Sequence, residues 1–577
     1  MDFVKGYESW LKDDYFDEET KNELIKIKND ENEIKERFYK DLEFGTGGLR
    51  GIIGAGTNRM NKYTVRKATQ GLANYILDKG LENTEKGVAI AYDSRHYSKE
   101  FATEAALVLN GSGIKTYIFK ELTPTPELSF AVRYLGCVAG IVITASHNPP
   151  EYNGYKVYWS DGGQVPPPLD EEIIKEVNKI TDFRQVKTID EIEAKSKGLF
   201  NVIGEELNDA YIEAVKGQSI NRDIIKKMAS DITIVYTPIH GTGNKPVRRV
   251  LKEVGFENVI IVKEQEKPDS NFSTVSYPNP EDPEAFKLAI KLAKENNADI
   301  IIGTDPDADR MGVLVRDEKG EYIVLTGNMT GVLLAEYIIS AKKAKDILPR
   351  NGALIKTIVT TRMAEAIAKE YDISLFEVLT GFKYIGEKIK YFEESGKNEY
   401  LFGFEESYGY LAGTYARDKD AVVASMLACE LAAVYKDKGI TLYEGLQNLY
   451  KKYGYYKESL NSITLKGIEG LEKIKTILEF LRNSPLVEFA GMKILEIKDY
   501  EKQIVINKVT NEETKINLPK SNVLYFNLEN SAWVCARPSG TEPKIKFYFG
   551  VKGNSEEDAN KKLMDLSNSV MKKIEGI

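Results

Sequence analysis

Gly87-Val88-Ala89-Ile90-Ala91-Tyr92 and, further on, Val138-Ala139-Gly140-Ile141-Val142-Ile143 are continuous apolar runs of strand length. Such runs mark strands buried on both faces. Between them lie Lys99 to Gly111, with apolar residues at helical spacing, the strand-like Ile114 to Phe119, and the helical Glu127 to Leu135. Strands alternating with helices in this way read as βαβ units in a mixed or parallel sheet.

The design recurs at domain scale, because three apolar runs each end in a polar loop. Ala139 to Ile143 leads into Thr144-Ala145-Ser146-His147-Asn148-Pro149. Ile300 to Ile302 leads into Gly303-Thr304-Asp305-Pro306-Asp307-Ala308-Asp309-Arg310, and Tyr400 to Phe402 into Gly403-Phe404-Glu405-Glu406-Ser407. Three related α/β domains are expected. Ligand-contacting loops collect at the carboxyl ends of strands, so the three loops are expected to face one cleft. Asp2 to about Leu42 is charged, with Phe3, Tyr7, Trp10, Leu11, Leu24 and Ile27 spaced as on helix faces, and reads as a helical lead-in. From Lys451 the text changes: Gln503 to Lys508, Lys515 to Leu518 and Lys544 to Gly550 are strand-like, and Gly470 to Arg482 and Glu556 to Ile574 helical. This predicts a fourth, α+β domain, and boundaries that divide the chain into 1–204, 205–321, 322–450 and 451–577.

A length of 577 residues agrees with about four domains and excludes a single small module. With 42% apolar residues the chain is neither disordered nor collagen-like. Lys plus Arg number 79 against 88 Asp plus Glu, a net charge of −9, which argues against nucleic acid and anionic membrane as partners. Any anionic ligand is therefore held locally. Cys137, Cys429 and Cys535 form no C-x-x-C pair and sit in apolar stretches, as buried reduced thiols do; with no membrane-spanning run and no signal-peptide profile, a cytoplasmic location is expected. A monomer is expected.

Asp305, Asp307 and Asp309 alternate, so an extended loop stiffened by Pro306 points three carboxylates to one side. Hard oxygen donors at that density suit Mg²⁺. An EF-hand loop needs Gly at its sixth position and Glu at its twelfth, where this chain has Arg310 and Arg316. A solvated acidic turn is the competing reading. Arg310 beside the carboxylates completes a site for a cation plus a phosphate. Ser146 follows a strand and can serve as nucleophile or phosphate carrier, although an ordinary Ser/Asn turn explains that loop taken alone. It is no hydrolase elbow, since Thr144 and Asn148 stand where G-x-S-x-G needs Gly. Of the three histidines, His147 is the candidate proton-handling group, while His96 and His240, with no evident partner, take the structural reading. Gly45-Thr46-Gly47-Gly48-Leu49-Arg50-Gly51 offers backbone N–H groups and a guanidinium to an anion, but neither a P-loop nor a dinucleotide fingerprint is complete. Arg537-Pro538-Ser539-Gly540-Thr541-Glu542-Pro543-Lys544 has the fork-shaped cation, hydroxyls and stiff backbone of a phosphate clamp; a decorated turn is the alternative. Glu405 and Ser407 can bond adjacent sugar hydroxyls, as can any solvated polar pair on an edge strand.

In that order, the serine loop, triple-Asp loop, Glu-x-Ser loop and Arg/Ser/Gly/Thr clamp resemble the α-D-phosphohexomutase superfamily over almost the whole chain, and within it the phosphoglucomutase and phosphopentomutase branch. The resemblance implies three related α/β domains and a TBP-like fourth around a central cleft. It implies phosphorylation of Ser146, with Mg²⁺ held by Asp305, Asp307, Asp309 and a Ser146 phosphate oxygen. Arg50, His147 and Lys156 match positions near the transferred proton and phosphoryl group. Arg310 is expected among the substrate-binding residues. Thr380, Gly381 and Lys419 match substrate contacts of the third domain, Glu405 and Ser407 the sugar-hydroxyl readers, and Arg537, Ser539, Gly540 and Thr541 the distal phosphate site. The implied reaction interconverts glucose 1-phosphate and glucose 6-phosphate, with glucose 1,6-bisphosphate as intermediate and activator. Phe404 replaces the Gly that glucose-type members commonly carry before Glu-Glu-Ser, as in relatives acting on pentose phosphates or making hexose bisphosphates, so phosphopentomutase and phosphomannomutase activities stand beside it. A Mg²⁺-dependent sugar phosphatase and a non-catalytic sugar-phosphate sensor are rivals from other classes.

Overall fold

The structure, a computed structural model, describes residues 3–45, 47–465, 467–539 and 544–577. Two compact units are present. The first comprises Met1–Gly327, Phe382–Gly403 and Ser407–Leu442; the second comprises Asn328–Gly381, Phe404–Glu406 and Tyr443–Ile577.

The first unit begins with three short helices, Phe3–Lys12, Glu18–Lys26 and Glu31–Phe38, the latter two capped by the side chains of Asp17 and Asp30. Tyr7, Trp10 and Leu24, expected on helix faces, are buried with Phe16, Phe38 and Tyr63. Next come β1 (Gly48–Ile52), β2 (Val88–Tyr92), β3 (Thr116–Phe119), β4 (Ala139–Ile143), β5 (Tyr152–Trp159) and β6 (Phe200–Ile203). The sheet order is β1-β5-β4-β2-β3-β6, parallel through β4, β2, β3 and β6 and antiparallel at β5 and β1. Every residue of β2 and of β4 is buried, as their unbroken apolar runs require. The second domain has β7 (Thr233–Thr237), β8 (Asn258–Ile261), β9 (Ile300–Thr304), β10 (Met311–Arg316) and β11 (Tyr322–Leu325), in the order β11-β10-β9-β7-β8. Here too the sheet is mixed, with β7, β8 and β9 parallel and β10 and β11 antiparallel.

The third α/β domain supplies β12 (Gly352–Thr357), β13 (Ser374–Val378), β14 (Glu399–Glu405) and β15 (Gly409–Ala412). In the second unit β12 and β13 pair in parallel. That unit ends in an antiparallel sheet of β16 (Tyr455–Thr464), β17 (Glu488–Phe489), β18 (Met492–Asp499), β19 (Ile504–Asn507), β20 (Glu513–Lys515), β21 (Leu524–Leu528), β22 (Trp533–Pro538) and β23 (Lys544–Gly553). Helices Gly467–Asn483 and Glu556–Glu575 lay Ile477, Leu478, Leu481, Leu566 and Val570 into its core. The expected α+β domain is present. The strand expected at Lys515 to Leu518 instead ends at Lys515, and β16, β18, β21 and β22 add strands the sequence did not announce. β16 shows why: it mixes Lys, Glu, Ser and Asn with apolar residues, and most of its positions are only half-buried, which blurs the alternation that marks a strand. All three cysteines are free and buried.

Candidate active site

In the first unit the sheet delivers three groups to one place. β4 ends at Ile143 and the chain turns through Ser146, whose φ of 51° is left-handed and costs a non-glycine residue about 1–3 kcal/mol. The Thr144 hydroxyl accepts the Ser146 N–H at 2.8 Å and fixes that turn. β5 returns antiparallel with Lys156 opposite Val142, and β1 lies outside it with Arg50 opposite Gly154. Lys156 and Arg50 are thereby carried beside the serine loop, and Arg50 donates to Asn148 Oδ1 at 3.4 Å.

β9 brings the second loop. Asp305, Asp307 and Asp309 are 0–1% exposed and present ligand oxygens within 4.8 Å of one another. The loop is not extended, as its alternation had suggested. Ala308 turns left-handed at φ 50°, its N–H donates to Asp305 O, and the N–H groups of Asp309 and Arg310 donate to Asp305 Oδ1, so a tight turn gathers the carboxylates. Ser146 Oγ donates to Asp305 Oδ2 at 2.7 Å. Asp307 Oδ2 accepts from Lys156 at 2.8 Å and from the Thr125 hydroxyl at 2.9 Å; Asp309 Oδ2 accepts from Lys419 at 2.8 Å and Lys156 at 3.3 Å. The other oxygens, Asp307 Oδ1 and Asp309 Oδ1, are buried without a hydrogen-bond partner. Buried carboxylate oxygens are costly unless paired or metal-bound, and oxygen-only donors suit a small divalent cation, so this donor set fits Mg²⁺.

Charge is concentrated here. Burial, with Asp307 and Asp309 adding to it, raises the Asp305 carboxyl well above its usual range. Burial acts the same way on Asp307, but Lys156 overrides it and holds that carboxyl far down. Burial depresses Lys156, yet Asp307 and Asp309 prevail and keep its ammonium above the usual lysine range. His147 Nδ1 lies 3.2 Å from Ser146 Oγ, and burial, then Arg310 and Arg50, push the imidazole well toward its neutral form. Arg310 pairs with Glu281 at 2.5 Å. The turn containing Ser407 is tied to the Asp loop, since Arg310 bridges Gly409 and the Met311 N–H donates to Tyr408 O.

The remaining expected site residues belong to the second unit. Thr380 and Gly381 follow β13, and Gly381 is left-handed at φ 114°. Glu405, 5% exposed, ends β14, and its neighbour Glu406 accepts the hydroxyls of Thr357 and Thr360 at 3.1 and 3.3 Å. Phe404 is fully buried against Gly331, where a Cβ would come within 2.0 Å of the ring. The Phe404 side chain is thus engaged in packing. Arg537 lies opposite Lys546 in the β22–β23 pair, and the Ser539 N–H donates to Lys544 O. Gly540 and Thr541 lie outside the described residues, as does Thr46 of the glycine-rich segment.

Sequence reasoning missed the residues that hold these loops. Arg95, its side chain fully buried, donates to the carbonyls of Ser146 at 2.6 Å, Pro149 at 2.7 Å, Tyr152 at 3.1 Å and Asn148. It follows the apolar β2 in Asp93-Ser94-Arg95, so the pattern that exposed the other loops was available. Thr125, at the start of the helix that follows β3, was open to the same reading. Glu281 carried no such signal. His96 and His240 do have partners: Asn271 Oδ1 for the first, Lys267 O and Thr274 Oγ1 for the second.

A serine-bearing turn beside a buried carboxylate triad, on three α/β domains followed by an antiparallel α+β domain, defines a phosphoryl-transfer type of protein. Comparison with known proteins specifies it. Models described as phosphoglucomutase/phosphomannomutase, alpha/beta/alpha domains I, II and III match residues 41–184, 209–320 and 326–453. A phosphoglucomutase of Staphylococcus haemolyticus (strain JCSC1435) is 37% identical over 523 residues, covering 91% of this chain and 92% of the relative. One of Staphylococcus aureus (strain MSSA476) is 38% identical over 531 residues, with 92% and 93% covered. Two solved structures share the fold. A phosphoglucomutase/phosphomannomutase family protein of Burkholderia thailandensis has a TM-score of 0.65 and 18% identity, with 92% of this chain and 97% of that one covered. The open form of pp63/parafusin of Paramecium has a TM-score of 0.67 and 17% identity, with 93% and 95% covered. The chain belongs to the phosphoglucomutase/phosphomannomutase family of the α-D-phosphohexomutase superfamily. It is a phosphohexomutase, an isomerase-class phosphotransferase. Among the described residues no helix is long and apolar enough to cross a membrane.

Proposed function

We propose that the chain interconverts α-D-glucose 1-phosphate and glucose 6-phosphate through a phosphorylated Ser146 and a glucose 1,6-bisphosphate intermediate. The observation that carries this reading is the 2.7 Å contact of Ser146 Oγ with Asp305, inside a triad that leaves two buried carboxylate oxygens for a cation. The phosphoglucomutase relatives favour glucose phosphates over mannose or pentose phosphates.

Ser146 would carry the phosphoryl group. A free hydroxyl of the bound sugar phosphate attacks the phosphorus in line, forming a new O–P bond as the Ser146 Oγ–P bond breaks. The hydroxyl proton passes to His147 or Lys156; the carboxylates already gathered on the Lys156 ammonium favour His147. Asp305, Asp307 and Asp309 would hold Mg²⁺, which when bound neutralises the charge of the transferring group. Arg50 and Arg310 add cationic charge beside Ser146. The bisphosphate then returns its other phosphate to Ser146 after turning end for end. Arg537, Ser539, Gly540 and Thr541 would grip the phosphate that is not transferred, whichever end it occupies. Thr380, Gly381, Lys419, Glu405 and Ser407 would orient the sugar. The three buried free thiols fit a cytoplasmic enzyme.

The test is kcat/KM for glucose 1-phosphate, mannose 1-phosphate and ribose 1-phosphate. Glucose 1-phosphate is expected to lead by at least about tenfold, worth about 1.4 kcal/mol of transition-state binding. A lead for either other sugar would reassign the substrate, and phosphate release matching isomerisation would make the chain a phosphatase. Arg537→Ala is expected to raise KM more than it lowers kcat.

A further inference from the structure

Arg50 stands in the middle of β1, the edge strand of the first sheet, which pairs with β5 on one side only. Gly48 and Gly51 flank it within the strand, and glycine is the residue that stiffens a strand least. Arg50 is also exposed, so little packing holds its side chain. A long side chain on such a strand meets a fixed point only if the backbone is held from elsewhere. The tolerance is small, since a misplacement of about 1 Å can cost roughly 100-fold in rate.

The N-terminal helices supply that hold. The loop after β1 is stitched to the strand end by three main-chain bonds, Ile53 N–H to Glu151 O at 2.8 Å, Met60 N–H to Ile52 O at 2.8 Å and Gly54 N–H to Met60 O at 3.1 Å. Within the loop, Ala55 is gripped through both its main-chain polar groups. Glu23 accepts its N–H with both carboxylate oxygens at 3.1 Å, while Arg37 Nη1 donates to its carbonyl at 3.0 Å and pairs with Glu23. Glu33 accepts from Arg37 Nε at 2.8 Å, which fixes the guanidinium from a second side. The main chains interlock as well, with Asn58 N–H on Arg37 O at 2.9 Å and Leu42 N–H on Thr57 O at 2.7 Å. The approach is close enough to require glycine: a Cβ on Gly56, whose φ is 132°, would lie 2.8 Å from Arg37 O, and one on Gly51 would lie 2.9 Å from Leu42 Cδ1.

Docking of the helices does not need this grip. The apolar cluster around Trp10 and Tyr63 already fastens them to the first domain, and an ion pair drawn out of water adds little stability. What the pair adds is a fixed position for Ala55. We propose that Glu23 and Arg37 are positioning residues: by fixing Ala55, five residues beyond Arg50, and with it the end of β1, they hold the Arg50 guanidinium at the serine loop, where it donates to Asn148 Oδ1 at 3.4 Å. Their role rests on the function proposed above for Arg50.

Steady-state kinetics of the full-length chain with glucose 1-phosphate, together with hydrogen exchange of the peptide containing Ile53, Gly54 and Ala55, test this. Arg37→Ala and Glu23→Ala are each expected to lower kcat about tenfold, the loss expected from a partial misplacement of Arg50, with KM changed less than about twofold and exchange of that peptide faster. Glu23→Gln, which keeps one acceptor for the Ala55 N–H, should recover most of the rate. In an Arg50→Ala background, Arg37→Ala should cost nothing further, because the group it aims is gone. Trp10→Ala, which empties the helices' own core and leaves these bonds, should keep its kcat. The proposal is overturned if exchange or kcat is unchanged in Arg37→Ala, if Arg50→Ala is as fast as the wild type, if the Arg37→Ala and Arg50→Ala losses multiply, or if Trp10→Ala loses kcat equally. A wild type unable to isomerise glucose 1-phosphate would count against the proposed function instead, and loop exchange, which needs no substrate, would still show whether Glu23 and Arg37 hold the strand.

Discussion

Glu127 is 4% exposed on the helix Thr125–Leu135, where burial, reinforced by Asp420 and opposed by Arg249, pushes its carboxyl up to about 8. Its Oε1 accepts from the Asn208 amide at 2.6 Å once that amide is oriented to suit its neighbours. The folded state therefore binds this proton more tightly than the unfolded state, whose carboxyl titrates near 4.5. The stabilisation is present below pH 4.5, falls by up to about 1.4 kcal/mol per pH unit as pH rises, and is gone above about 8. Glu127→Gln keeps the shape and removes the proton. Its melting temperature should decline less than that of the wild type between pH 5 and 8; parallel declines would refute the assignment.

At the scale of elements, the Asp loop owes its shape to its neighbours. A Cβ on Gly241 would lie 2.6 Å from Pro306 Cα, so only glycine lets that loop support the Asp turn. Thr125 binds Asp307 twice, by its hydroxyl to Oδ2 and by its N–H to the main-chain oxygen. Thr125→Val retains the second bond and loses the first. The concentration of Mg²⁺ giving half-maximal activity should rise roughly 10- to 100-fold, the usual effect of removing a hydrogen bond behind a metal ligand, with little change in rate at saturation. An unchanged Mg²⁺ requirement would show that Thr125 does not orient Asp307. What could be read from sequence follows from how these elements are built. Ser146 and the Asp triad stand directly after fully buried strands, where an apolar run stops at a polar loop, so they were legible. The turn at Ala308 is local but aperiodic, and although Arg95 itself follows an apolar strand, the carbonyls it grips, like the pairing of Glu281 with Arg310, depend on long-range contacts that leave no periodic trace. β16 stayed hidden because its polar residues are half-buried rather than cleanly alternating.

For the molecule as a whole, the N-terminal helices belong to the first unit's packing. Trp10, 3% exposed, stacks on Phe16 at 4.1 Å and meets Tyr63 of the helix Lys62–Asp78 edge-on at 5.6 Å. Trp10→Ala should cost about 3–5 kcal/mol, read as a lower denaturant midpoint with kcat/KM preserved at low temperature; an unchanged midpoint would make the lead-in an appendage. The central claim concerns covalent chemistry at one hydroxyl. It is tested most directly by incubating the full-length chain with glucose 1,6-bisphosphate and Mg²⁺, then reading intact mass and the modified peptide. The account predicts one phosphate ester on Ser146, and in Ser146→Ala neither the ester nor isomerisation. Phosphate on another residue, or near wild-type turnover by Ser146→Ala, would contradict it.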